Sequence, residues 1–131
     1  MYEILKRKKV QLVYIPLVLY WILLFIATTI PAPALPDILD FSDKVKHFGA
    51  YLGFAVLLAL TFHFQEKYKV LAKYFLIAAI IAIMLYGAAD EIHQIFIPNR
   101  MCEFLDWVAD VAGGSIGAFF AFLFIRKSQP E

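Results

Sequence analysis

The sequence predicts an all-α fold: a polytopic membrane protein with a four-transmembrane-helix bundle and short loops. The first observation behind this prediction is composition, since 63% of the 131 residues are hydrophobic and the mean hydropathy is +0.74. A soluble chain of this size could not bury so much apolar surface. The second is the presence of four apolar runs long enough, or nearly so, to cross a bilayer. The third is that the charged and proline-rich stretches between the runs are short.

The first span is predicted over about residues 10–30, which carry no charge. At the rise of an α-helix this run measures roughly 31 Å, the thickness of a bilayer hydrocarbon core. The prolines at positions 31, 33 and 36 must end the helix, because each removes a backbone donor. The basic residues 6–9 and the small residues 32–34 also fit a cleaved signal peptide, but the apolar run is too long for one.

The other three spans are predicted over about residues 46–65, 74–96 and 106–125. Ser42 or Asp40 can cap the second helix near its start, and a basic loop at 65–73 follows its end. The third run is long enough only if it continues through the polar residues 90–94, and the fourth only if it includes Asp110. Acidic residues are therefore predicted at the bilayer edge, where a charge is costly unless it is paired, hydrated or protonated.

The placement of positive charge predicts the topology. Nine of the twelve Lys and Arg residues lie before span one, between spans two and three, or after span four, whereas Lys44, Lys46 and Arg100 lie on the other side. The positive-inside rule then places both termini in the cytoplasm and the loops at 31–47 and 97–106 outside. No soluble segment, repeat or nucleic-acid motif remains, so residues 1–131 are expected to form a single membrane domain that has the lipid bilayer, and no nucleic acid, as its partner.

Polar residues gather at the predicted outer ends of spans two to four. Asp43, His47 and Tyr51 are spaced by four and share one helix stripe. Glu91 and His93 lie about 200° apart around span three and cannot share a pocket without a helix distortion. The sequence does not determine whether Asp90 or Glu91 faces inward, because a rotation of the helix by roughly 100° exchanges them. The other candidates at these ends are Asp90, Gln94, Asp106 and Asp110, with Arg100 as the expected counter-charge of the last two.

Glycine pairs at GxxxG spacing predict close helix packing. Gly49 with Gly53 in span two, and Gly113 with Gly117 in span four, would let helix backbones approach closely. Spans two, three and four are therefore expected to pack together, which would bring residues that are remote in sequence into one pocket.

Four motifs follow one another along the chain: Asp43-Lys44-x-x-His47-x-x-x-Tyr51, Asp90-Glu91-x-x-Gln94, Pro98-x-Arg100 and Asp106-x-x-x-Asp110-x-x-Gly113. This ordered set closely resembles the VanZ-like family of bacterial membrane proteins over about residues 10–125. The resemblance implies a small four-span protein of the bacterial plasma (inner) membrane and an association with low-level resistance to the antibiotic teicoplanin. Asp110 departs from the family pattern, which often has Asn there.

Our first functional hypothesis is a site that binds or acts on an amphiphilic envelope molecule: a lipid-linked cell-wall intermediate, a lipid head group or a glycopeptide. Glu91 or Asp90 would act as acid or base with His47 as proton partner, while Arg100, Lys44 and Lys46 could meet phosphate or carboxylate. No cofactor is predicted and no recognised metal spacing is present, although His47 could instead bind a divalent cation beside Asp106 and Asp110. The remaining substrate-binding candidates are Asp43, Tyr51, Gln94, Arg100, Asp106 and Asp110.

The second hypothesis is a non-enzymatic membrane scaffold or resistance accessory protein whose polar residues form an internal network. The sequence leaves open whether the protein is an enzyme and what its oligomeric state is. A transporter is least favoured, because four short spans would have to oligomerise to enclose a path.

Overall fold

The computed structural model describes residues 1–31 and 43–128. The predicted all-α class is confirmed, since this part of the chain forms helices and no strand. Four of its helical segments are long and apolar enough to span a membrane: Val10–Thr29, Asp43–Phe64, Phe75–Gln94 and Phe104–Ser128. Most of the proline-rich segment 31–36 and both predicted caps, Asp40 and Ser42, lie outside the described residues.

The first span contains an irregular turn. A short helix α1 (Tyr2–Arg7) precedes a π-helical turn at Val10–Tyr14, which continues into α2 (Ile15–Thr29). Pro16 has no N–H to donate to the carbonyl four residues earlier, and proline is a common cause of such local changes in a helix. The remaining elements are α3 (Asp43–Phe64), the short α4 (Lys69–Lys73), α5 (Phe75–Gln94) and α6 (Phe104–Ser128).

Contacts between remote residues define two ends of the bundle. At one end, Lys9 Nζ lies 3.2 Å from the Phe64 carbonyl and 2.5 Å from Glu66 Oε1. At the other end, Lys44 Nζ lies 2.8 Å from Glu103 Oε2. The four long helices therefore alternate in direction, and we refer to the Lys9 end and the His47 end of the bundle.

The closest helix pair is α3 with α6. A Cβ atom built on Gly113 or Gly117 would lie 2.1 Å from the carbonyl oxygen of Phe48 or Leu52, so only glycine fits at these two positions. The packing role predicted for this pair is confirmed. The prediction for the other pair was wrong: Gly49 faces open space, and Gly53 makes room for the Tyr20 hydroxyl of α2, which donates to the Ala50 carbonyl at 2.8 Å.

Large apolar side chains cover the outside of the bundle. They come from all four long helices and include Leu23, Val45, Leu85 and Phe120. In water such a surface would be costly, whereas lipid tails solvate it without penalty. The buried polar side chains are therefore the feature that distinguishes one end of the bundle from the other.

Candidate functional site

The α3 stripe predicted from the sequence enters the bundle at the His47 end. The side chain of Asp43 is 57% exposed, whereas His47 and Tyr51, one and two turns further on, are buried. Their spacing of four keeps all three on one side of the helix. The stripe therefore leads from the surface to the interior.

His47 is the centre of the site. Its Nδ1 lies 2.8 Å from Asp110 Oδ1 of α6 and 3.9 Å from Glu91 Oε1 of α5, and its Nε2 lies 3.9 Å from Asp43 Oδ2. Three helices that are far apart in sequence thus place acidic groups around one imidazole. A histidine and carboxylates at these distances can share protons or bind a cation.

Asp90 and Glu91 are both buried, which answers the question that the sequence left open. The Tyr51 hydroxyl donates to Asp90 Oδ2 at 3.2 Å, so Asp90 faces α3. Glu91 Oε2 instead accepts the backbone N–H of Glu103 at 3.0 Å, and Gln94 Nε2 donates to Glu91 Oε1 at 3.3 Å. Neighbouring residues point about 100° apart on a helix, and here each direction meets a different part of the bundle.

The expected divergence of Glu91 and His93 is confirmed. His93 leaves the site and stacks on Phe25 of α2, with ring centroids 5.2 Å apart. Because the helix continues without distortion through both residues, only Glu91 reaches His47. His93 is therefore a packing residue between α5 and α2.

The predicted pairing of Arg100 with Asp106 and Asp110 was wrong. Lys44 takes this place for Asp106, since its Nζ lies 3.0 Å from Asp106 Oδ1 as well as 2.8 Å from Glu103 Oε2. The ammonium of Lys44 also holds the pKa of the Glu103 carboxyl below its usual range. For Asp110 the paired group is His47.

Arg100 is directed elsewhere by a tight turn. The Arg100 N–H donates to the Ile97 carbonyl at 3.1 Å, with Pro98 at the second position of the turn and Asn99 at the third, where its φ is 60°. Proline and asparagine at these positions are typical of a type II turn. The guanidinium then donates to the Ala27 and Ile30 carbonyls at 2.8 and 3.2 Å, where the C-terminal end of α2 leaves carbonyls without helical partners.

An open cleft lies between α2, α3 and α5 at the His47 end, with about 530 Å³ of space that includes the region continuous with its surroundings. We call it the Arg100 cleft. Its walls are apolar in α2 and polar where α3 and α5 meet, and Lys46 and Arg100 add positive charge to its lining. The lining residues are Leu24, Ala27, Thr28, Asp43, Lys46, His47, Ala50, Tyr51, Asp90 and Arg100.

We define the carboxylate cluster as the buried residues Asp90, Glu91, Asp106 and Asp110. Asp110 is fully buried, and its Oδ2 has no hydrogen-bond partner within the described part of the chain. Gly87 of α5 makes room for this side chain, since a Cβ atom there would lie 3.3 Å from Asp110 Oδ2.

Two sets of residues could hold a metal ion, each presenting ligand atoms within 4.8 Å of one another: His47 with Glu91 and Asp110, and His47 with Asp43 and Asp106.

Sequence reasoning missed three contributors to the site. Glu103 precedes Asp106 by three residues and Asp110 by seven, so this helical spacing could have revealed it. Trp107 Nε1 donates to the Met84 carbonyl at 3.0 Å and thereby joins α6 to α5. The sequence carried no comparable signal for Trp107 or for Gly87, because their roles depend on the helix that lies opposite.

Taken together, the fold and the site define a class: a four-span membrane protein in which carboxylates from separate helices surround a buried histidine at one end of the bundle. The chain belongs to the VanZ/LLP1 family, whose family model matches residues 6–125. This match confirms the resemblance found in the sequence motifs. Neither the curated proteins nor the solved structures gave a match to this chain.

Proposed function

We propose that the protein binds the anionic head of an amphiphilic cell-envelope molecule in the Arg100 cleft. The observation that carries this proposal is the composition of the cleft, where Leu24, Ala27 and Ala50 form an apolar side and Tyr51 and Asp90 a polar one. Such a surface suits a molecule with a lipid-like part and a polar part. A lipid-linked cell-wall intermediate, a lipid head group and a glycopeptide with an acyl chain all share this chemistry.

Two cations in the lining, which also contains the carboxylates of Asp43 and Asp90, support a head group with an anionic part. Arg100 and Lys46 both line the cleft, and a guanidinium suits phosphate or carboxylate because it donates in a fork. Lys44, the third cation that the sequence offered, contacts Glu103 and Asp106 and is not among the residues that line the cleft. Binding is assigned to Arg100 and Lys46 because both line the cleft; Arg100 gives two of its five N–H groups to carbonyls of α2 and has further donors for a ligand.

The distribution of basic residues supports a location at the outer face of a bacterial inner membrane. The Lys9 end carries most of the Lys and Arg residues, which favours the cytoplasm for that end and for both termini. The Arg100 cleft, at the opposite end, would then open at the depth of the outer head groups. This orientation belongs to the proposal and is tested by labelling native Cys102 in one protein and a single cysteine at position 67 of a Cys102→Ser variant in another; only Cys102 should react with an impermeant reagent in whole cells.

The three candidates for acid and base chemistry differ in whether they line the cleft. Asp90 and His47 line the cleft, whereas Glu91 is not among its lining residues and lies behind His47. A proton delivered to or taken from a bound molecule would therefore pass through Asp90 or His47, with Glu91 as a positioning residue. Tyr51 orients Asp90 through its hydroxyl.

The test is binding in nanodiscs that contain either a lipid-linked cell-wall intermediate, an anionic phospholipid or only zwitterionic lipid. We expect the wild type to retain an anionic ligand in native mass spectrometry, and Lys46→Gln with Arg100→Gln to weaken binding by about tenfold or more, the value of one charge-assisted hydrogen bond. Lys9→Gln, at the other end of the bundle, is the matched control. Equal binding by all three proteins, with unchanged thermal unfolding, contradicts the proposal.

A second candidate function is that of a scaffold whose polar network only holds the bundle together. It is favoured by the partners that the carboxylate cluster finds inside the protein: Tyr51 for Asp90, Lys44 for Asp106 and His47 for Asp110. Under this alternative Asp90→Asn lowers protein abundance in the membrane. Under the binding proposal abundance survives while ligand retention and any effect on teicoplanin susceptibility are lost, so a blot paired with a susceptibility assay separates the two.

A further inference from the structure

We propose that His47, Glu91 and Asp110 form a binding site for a divalent transition-metal ion inside the bundle. One atom from each residue lies within 4.8 Å of the others, and the three residues come from three different helices. All three are buried. The proposal goes beyond lipid binding and does not depend on it, because it concerns the interior behind the Arg100 cleft.

The distances fit ligands of one ion. His47 Nδ1 lies 2.8 Å from Asp110 Oδ1 and 3.9 Å from Glu91 Oε1. Nitrogen and oxygen ligands at about 2.1 Å from a tetrahedral metal lie roughly 3.4 Å from one another. Small side-chain rotations therefore suffice to bring the three atoms to bonding distance, with the ion in place of the direct contact between His47 Nδ1 and Asp110 Oδ1.

The balance of charge favours a bound cation. The carboxylate cluster comprises four buried acids; Lys44 contacts Asp106, and His47 contacts Glu91 and Asp110. Arg100 donates two of its five N–H groups to backbone carbonyls at the end of α2. Buried carboxylates in excess of cations are unfavourable unless they are protonated or bind a metal.

Asp110 provides an independent indication of a ligand. This side chain is 0% exposed, and its Oδ2 finds no hydrogen-bond donor in the described part of the chain. A buried polar atom without a partner costs about 1–3 kcal/mol. Bidentate binding of a metal by Asp110 would satisfy this oxygen.

Two arguments distinguish this site from the set that contains Asp43 and Asp106. Asp43 is largely exposed, and Asp106 is already ion-paired with Lys44 at 3.0 Å. Glu91, in contrast, is held in place by the Glu103 N–H and by Gln94, as outer partners hold metal ligands in known sites.

The ligand types indicate which metals fit. One imidazole and two carboxylates suit Zn²⁺, Mn²⁺ or Fe²⁺ better than Ca²⁺, which prefers six or more oxygens. With Asp110 bidentate, the three residues would supply four ligand atoms, so a five- or six-coordinate ion would still have an open position for water or substrate. Because His47 also lines the Arg100 cleft, that position would lie next to the cleft.

The experiment uses the full-length protein in nanodiscs of zwitterionic lipid, titrated with Zn²⁺ and, for spectroscopy, with Co²⁺. We expect one Zn²⁺ per chain, a raised unfolding temperature, release of about one proton on binding near neutral pH, and visible Co²⁺ absorption bands. Glu91→Gln and Asp110→Asn should each weaken binding by at least about tenfold. Asp43→Asn is the matched control and should bind as the wild type does.

Any one of four results overturns the proposal. One is a wild type that binds no divalent cation, and another is equal Zn²⁺ binding and equal Co²⁺ spectra for all four proteins. The third is loss of binding in Asp43→Asn with retention in Glu91→Gln, which would assign the ion to the other set. A variant that fails to fold is recognised by its circular dichroism and is replaced by Glu91→Asp, which keeps the charge, shortens the reach and should shift the Co²⁺ bands. An unaltered Co²⁺ spectrum of that variant also overturns the proposal.

Discussion

The two ends of the bundle treat the same kind of residue in opposite ways. At the Lys9 end, Glu66 pairs with Lys9 while its side chain is 82% exposed. At the His47 end, Asp110 pairs with His47 with no exposure at all. Water solvates the Glu66 carboxylate, so its pairing with Lys9 adds little stability. The buried Asp110 carboxylate is cut off from water, so only protein groups can compensate its charge. The proposed sites therefore lie at the end where the ionisable groups are buried.

The largest expected effect comes from removing the centre of the buried end. His47→Ala takes away the group paired with Asp110 and leaves a cavity beside Glu91. Loss of one partner from a buried ionic pair costs about 3–5 kcal/mol. The measurement is the free energy of unfolding in mixed micelles at neutral pH. A loss below about 1 kcal/mol, as surface substitutions usually give, would show that the two ends do not differ.

A smaller effect is expected from the glycine that makes room for Asp110. In Gly87→Ala the new Cβ lies 3.3 Å from Asp110 Oδ2 and 3.4 Å from Trp107, so the carboxylate must shift. Crowding of this kind costs about 1–3 kcal/mol, partly offset by the better helix propensity of alanine. Gly49→Ala is the matched control, because nothing lies within 4 Å of its new methyl group. The comparison of two unfolding temperatures checks this prediction, and equal values would contradict it.

The smallest effect is expected at the exposed end, and it depends on pH and salt. Lys9 lowers the pKa of the Glu66 carboxyl from its ordinary value of 4.5. The stabilisation from this pair is therefore present above that value and is lost as the pH falls through the lower pKa of the folded protein. Glu66→Gln should remove this acid dependence and the sensitivity to salt while leaving stability at pH 7 nearly unchanged. Unfolding measured from pH 3 to pH 7 at low and high salt tests it.

Much of the fold followed from the sequence because uninterrupted apolar length determines which segments can cross a membrane. The four long helices, and the gathering of acidic residues from three of them, could be predicted on this basis. The partner of each individual charged side chain could not be predicted. Arg100 binds the end of α2 because of a turn at Pro98 and Asn99, and the sequence does not state which helix end lies opposite.

The rotation of each helix about its own axis, which decides the residues that face inward, could likewise not be predicted from the sequence. Helix periodicity places residues 90 and 91 about 100° apart and suggested that only one could face inward. The structure buries both, because Tyr51 of α3 lies on one side of α5 and the backbone of Glu103 on the other. Similarly, Gly49 and Gly53 have the spacing of a packing motif, yet Gly49 faces open space.

The most direct test of the buried site is a double-mutant cycle between His47 and Asp110, with Lys9 and Glu66 as the reference cycle. Unfolding free energies of the wild type, His47→Ala, Asp110→Ala and the double variant give the coupling between the two side chains. We predict a coupling of about 2–3 kcal/mol, at the upper end of the range for residues in contact, and a weaker one in the reference cycle. Additive effects of His47→Ala and Asp110→Ala would contradict the account, because they would show that the two residues do not meet inside the bundle.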